Sequence, residues 1–458
     1  MRRALLLPIL MAASVAAPAD LILPGAAHTS GLEGTQWATD LVVLNPHEIP
    51  VEVHMTFTPY SDSQPVSTSH ALEPQQMLAL DDVVSSAFGL EASGYITIHS
   101  AETLVAAQRT FNQTPDGATY GQLIPAVEAA TSHAYLTGMR GGDFRTNLGL
   151  VNPGMTSLTV NVAVASGLQL ELPSQGGVQL GQIDGWQEFN PAGESGSVAA
   201  ATSVLCYASV VDNRTGDPTY VPGLQAESQA VIAGLAHSPG VNGTVWRSDL
   251  YLHAPVGATV LGTLVFYGRD GTLAAPQLVE DLEAGETRVL EDVIALLAPG
   301  HEGSAVLWLS TVSGPIVAFA RTFNLSQGGT YGQALPAVPR SAYIQPPHSA
   351  ALLFASRNAD GAVGYRSNLG LVNPNLDPAG ITVELLDAAG AMLGSGLVMV
   401  PPRSALQKDD VVQWLGVDSL DRGVIRLSAP VPFTSYLSAI DNRSGDASTI
   451  TPSITGPG

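Results

Sequence analysis

Lysine is almost missing from this chain: Lys408 is the only one in 458 residues. With 18 Lys and Arg against 40 Asp and Glu, the formal charge is −22. No basic stripe is present to neutralise a run of phosphates, which excludes nucleic acid as a partner class. An anionic membrane surface is excluded on the same ground. Cysteine is limited to Cys206, so no internal disulfide can form, and the apolar run "SVLCYASVV" marks it as a small buried hydrophobe. Charged residues make up only 13%, about half the usual share, so Ser, Thr, Asn, Gln and Gly must cover the surface. Past the N-terminus no apolar stretch is long enough to span a bilayer, and none is expected in the mature chain.

What is present is a globular share of hydrophobic residues, 45%, with 47 Gly and 32 Pro at turn-like spacings. The length calls for several cores rather than one. The first residues, "MRRALLLPILMAASVAAPAD", combine Arg2 and Arg3, an apolar stretch and Ala17-Pro18-Ala19. That order reads as an export signal over residues 1–19. The expected location is therefore extracellular or at the cell surface.

The strongest signal is repetition. "FRTNLGLVNPG" at 144–154 returns as "YRSNLGLVNPN" at 365–375, and weaker copies stand at 37–46, "WATDLVVLNP", and 246–255, "WRSDLYLHAP". A period near 105 residues is that of tandem domains, well beyond a solenoid repeat. The closing stretches alternate. "RTFNQTPDGATYGQLIPAV" (109–127) matches "RTFNLSQGGTYGQALPAV" (321–338), whereas "YASVVDNRTGDPTYVP" (207–222) matches "YLSAIDNRSGDASTITP" (436–452). The order is thus A-B-A-B, with segments A1 (20–128), B1 (129–226), A2 (227–339) and B2 (340–458).

Within the opening motif, Phe144, Thr146, Leu148 and Leu150 share one strand face, and Arg145, Asn147, Gly149 and Val151 the other. The same parity assigns Trp37 and Trp246 to cores. "LALDDVV", "RVLEDVI" and "LQKDDVV" (78–84, 288–294, 406–412) predict a short helix capped by an acidic residue. B1 reads "VQLGQIDGW" there (178–186) and is expected to lack that helix.

About seven short strands per segment predict an all-β protein of four tandem immunoglobulin-like β-sandwich modules; a β-propeller is the alternative, disfavoured by the long period. On the "RTNLGLVNP", "RSNLGLVNP" and "DNR[TS]GD" stretches, the chain resembles the tandem immunoglobulin-like repeats of exported and cell-surface bacterial proteins. The resemblance implies display, adhesion or assembly, and brings no catalytic residue.

The loops Asp212–Asp217 and Asp441–Asp446 offer oxygen ligands, so Asp212, Asp217, Asp441 and Asp446 are candidate Ca²⁺ ligands; the competing reading is a hairpin turn with Asx bonds. Ca²⁺ is the only cofactor the sequence suggests. Arg145 with Asn147, and Arg366 with Asn368, form outward polar pairs suited to a sugar or to a neighbouring module. Trp186 is the candidate exposed stacking surface. No catalytic residue is assigned: the histidines lack a metal-binding spacing, and "GESGS" (193–197) and "LGSGLV" (393–398) fall short of a nucleophile elbow and a dinucleotide loop. The expectation is an acidic, secreted structural or adhesive protein that contacts surface proteins, envelope components or its own copies. An extracellular polysaccharide-binding protein is the alternative, and a secreted hydrolase the third.

Overall fold

A computed structural model describes residues 20–457, apart from 62–63, 129, 165–166, 182–192, 258, 269–271 and 327. The export signal expected at 1–19 and Trp186 lie outside the described residues, as does 182–186 of the B1 stretch expected to lack a helix; its start, 178–180, ends the strand Gly176–Leu180. The described chain is all-β, built of antiparallel sheets with three short α-helices, and β-sandwich-like in character.

Alternation explains the strands. In Val51–Pro59, Val51, Val53, Met55 and Phe57 are buried while Glu52 and His54 are exposed, the pattern of a strand with one face on a core. Strand ladders fall into four groups that no sheet crosses, spanning 21–125, 131–222, 229–339 and 348–457. A1 and A2 share one strand order, in which the opening strand (Leu21–Ser30 or Gln229–Pro239) lies centrally between Ala92–His99 and Gln36–Leu44, or Gly303–Ser313 and Val245–His253. B2 divides into a five-stranded and a four-stranded sheet around one core. In B1 a single 19-residue strand, Glu194–Asp212, serves both layers.

Helices form at Val83–Ser86, Val293–Leu297 and Val411–Trp414, each burying its first two residues. Their entry differs from the sequence expectation. Asp82, Asp292 and Asp410 precede them in the left-handed region, with φ of 44°, 42° and 45°. Only the Asp410 carboxylate caps, accepting from Gln413 N. The backbone N–H groups of Asp82, Asp292 and Asp410 instead donate to Asp40, Asp249 and Asn368, each at 3.0 Å. The turn is thus pinned to the motif strand. This frees the carboxylates of Asp82 and Asp292 for His28 (2.7 Å) and His237 (2.8 Å).

The segments close on themselves as a ring. Four closing strands, Thr119–Pro125, Pro218–Pro222, Thr330–Pro336 and Ala447–Ile450, meet each against the next and the last against the first. Apolar seams hold the neighbours. Ile22, Tyr95 and Ile124 pack with Val151, Tyr207 and Tyr220 between A1 and B1, and Val231 and Val306 with Tyr343 and Val372 between A2 and B2. Tyr251 and Phe319 of A2 enter the B1 core, and Val42, Val105 and Ala107 of A1 enter the B2 core.

Candidate functional site

The two acidic loops are hairpin turns whose carboxylates reach across to a neighbouring segment. Asp441 Oδ1 accepts the N–H groups of Arg443 (2.8 Å) and Ser444 (3.1 Å), an Asx turn. Its Oδ2 accepts from Thr119 of A1, from N at 3.0 Å and Oγ1 at 2.9 Å. Asp212 repeats this with Arg214 and Thr215 on one oxygen and with Thr330 N and Oγ1, both 2.8 Å, on the other. Asp446 Oδ2 takes Gly121 N (2.9 Å) and Arg109 Nη2 (3.2 Å). Asp217 Oδ2 takes Gly332 N (2.8 Å) and lies 3.6 Å from Arg321 Nη2. B2 is thereby clamped to A1, and B1 to A2, by the same set of bonds. Among the described residues no group of three or more His, Cys, Asp or Glu side chains is arranged to hold a metal ion.

Burial shapes the charges there. Asp217 and Asp446 are wholly inside the ring, each with one oxygen lacking a hydrogen-bond partner. Burial raises the pKa of both, well above the usual range for Asp217 and to about 7 for Asp446. The two carboxylates repel each other, and Arg321 and Arg109 pull in the opposite direction. The guanidiniums also stack across the junctions, Arg109 over the ring of Tyr365 and Arg321 over that of Phe144, at 5.4 and 5.5 Å.

The other motif residues have comparable duties. Arg145 Nη1 donates to Asn213 Oδ1 at 2.8 Å, and Arg366 Nη1 to Asn442 Oδ1 at 2.6 Å, so each strand braces its own acidic loop. Asn368 holds the helix entry as described; Asn147 occupies the matching strand position in B1. Gly149 and Gly370 leave room for Tyr207 and Tyr436: a Cβ on either would lie 1.9 Å from the ring. Asn152 and Asn373 are buried, and their amides tie the following loop through Thr156 and Pro173 or Asp377 and Pro401. The repeated eleven residues are therefore instructions for packing and for junctions.

Among the described residues, a cleft of about 960 Å³ opens between A2 and B2. Gly234, Ser238 and Trp246 line it from A2, and Arg357, Arg366 and Asn442 from B2. Sequence parity placed Trp246 and Trp37 in cores; both are instead half-buried. A unit that the parity reading passed over explains why. "GLEGTQW" (31–37) and "GVNGTVW" (240–246) each form a 3₁₀ turn behind the indole. Trp246 Nε1 donates to Thr244 Oγ1 at 3.1 Å, and a Cβ on Gly240 would lie 2.5 Å from that nitrogen. The glycine pattern seven residues long was the available signal.

No family model and no curated protein matches the chain. Solved structures do match it. One, from Thermotoga maritima and described as "Crystal Structure of Thermotoga maritima 1070", is 16% identical, with a TM-score of 0.20, over 25% of this chain and 97% of its own.

Proposed function

We propose that this chain is an exported structural or adhesive protein, acting through contacts with surface proteins, envelope components or further copies of itself, and built of four immunoglobulin-like sandwiches. The observation that carries the reading is the direction of the repeated polar groups. Arg109, Asp212, Asp217, Arg321, Asp441 and Asp446 all face a neighbouring segment, where they hold the ring together. A closed ring of this kind presents a fixed outer surface, which lowers the ordering cost of docking. The test is retention of residues 20–458 on purified cell envelopes and self-association in sedimentation. Retention or assembly is expected, and absence of both overturns the reading.

A second reading, polysaccharide binding, is favoured by the cleft between A2 and B2, which combines a held indole with amides and hydroxyls. Retention on an insoluble polysaccharide, rather than on envelopes stripped of it, would select this second reading.

A further inference from the structure

We propose that the A2/B2 cleft binds a neutral oligosaccharide, with Trp246 as its stacking face; this deepens the polysaccharide reading and rests on it. At about 960 Å³ the cleft lies at the upper end of the size range of small-ligand sites. It abuts a second hollow of about 110 Å³, with Val241, Arg366 and Asn442 lining both.

Charge selects the ligand class. Arg357 is paired with Asp410 at 2.9 Å, and Arg366 is held by Asn442. Glu302 and Asp409 also line the cleft, so neither sign prevails. A phosphate would meet carboxylates, and a cation would meet guanidiniums. The remaining polar lining includes hydroxyls and amides, such as Ser238, Asn358 and Asn368, with His301 beside them. Groups of that kind both donate to and accept from sugar hydroxyls.

The indole is pre-positioned. Thr244 fixes its nitrogen and Gly240 lies against that edge, so little side-chain freedom is left to lose on binding. A tryptophan serving only as core would sit among the A2 core residues, and Trp246 does not. Its partly exposed indole, on the wall of the cleft, offers the apolar face on which a pyranose ring stacks. Trp37 repeats the unit in A1, with Gly31 against it, and provides an internal control.

The test is isothermal titration of the full mature chain with cellohexaose, chitohexaose, xylohexaose and maltohexaose. The variants are Trp246→Ala, Trp246→Phe, Trp37→Ala and Val241→Arg. Val241 is 64% exposed on the rim, so its arginine obstructs the cleft without entering a core. Saturable binding of at least one sugar is expected. Trp246→Ala and Val241→Arg should weaken it at least roughly tenfold, Trp246→Phe should recover part of it, and Trp37→Ala should leave it unchanged. Binding that survives both Trp246→Ala and Val241→Arg overturns the cleft assignment while leaving the polysaccharide reading in place. No binding of any sugar by the unaltered chain overturns both, and leaves the structural or adhesive reading to its own test.

Discussion

Phe354 and Ala107 have exchanged sizes relative to their counterparts at the other three junctions. Each opening strand carries a bulge with a residue at positive φ: Gly25, Gly138, Gly234 and Phe354, at 72°, 90°, 89° and 60°. Against the glycines pack Tyr207, Phe319 and Tyr436 of the next segment. At the fourth junction the matching strand position holds Ala107, and Phe354 fills the space from the other side, both within one core cluster. Phe354→Gly should therefore cost about 3 kcal/mol, a cavity term reduced by relief of the left-handed backbone. Ala107→Tyr alone should cost about 1–3 kcal/mol by overpacking. The double variant should be more stable than the sum of the two losses, as read from denaturation midpoints in a double-mutant cycle.

Asp441→Ala should destabilise the chain by about 3–5 kcal/mol, because it leaves Thr119 N and the loop amides without their acceptor. Asp212→Ala should do the same at the B1/A2 junction. Unfolding curves with Ca²⁺ and with a chelator should coincide, since both carboxylate oxygens of Asp212 and of Asp441 already accept N–H or O–H donors. A midpoint raised by Ca²⁺ and lost in Asp441→Ala would restore the metal reading of the loop.

The buried pair Asp217 and Asp446 makes stability depend on pH in an uncommon direction. Both have folded pKa values raised above the unfolded value, with Asp446 at about 7. The folded chain then holds protons that the unfolded chain releases. Their contribution is complete below about pH 4 and is lost as pH rises through neutrality. The facing charged groups are Arg109, Arg321, Asp212 and Asp441. Burial lowers the His253 pKa, which acts in the opposite direction. Asp446→Asn leaves His253 untouched, so the difference between the two melting profiles from pH 4 to pH 8 isolates the carboxylate. The variant should show the smaller loss toward alkaline pH.

Cys206 should resist alkylation in the folded chain and react fully in denaturant. Burial in the B1 core raises its thiol pKa to about 12, leaving almost no thiolate at neutral pH. Rapid labelling under native conditions would show that the long strand Glu194–Asp212 opens.

Local pattern made much of the architecture legible. Period-two alternation identifies Val51–Pro59 and the motif strands, and the "DDVV" and "EDVI" stretches mark the three helices. The turn half of the acidic loops was also readable, because an Asx turn is made within five residues. Their other half was not, because the partners of Asp441 and Asp446 lie 322 and 325 positions away at Thr119 and Gly121. Arg145, Asn147, Arg366 and Asn368 were read as outward pairs since alternation reports which face a residue takes, not what covers that face. Trp246 misled for the same reason: it has the parity of a core residue at a strand end where the core has run out.

The clamp between Asp441 and Thr119 also sets an order of events during synthesis. A1 emerges well before B2, and the loop that grips its closing strand follows 322 positions later in the chain. Until then its Arg109 has no carboxylate from B2, and the unfilled place is open to the equivalent loop of B1 or of another chain. Slow emergence of the 441–446 loop, or its removal, would therefore leave a newly made molecule able to trade segments with its neighbours.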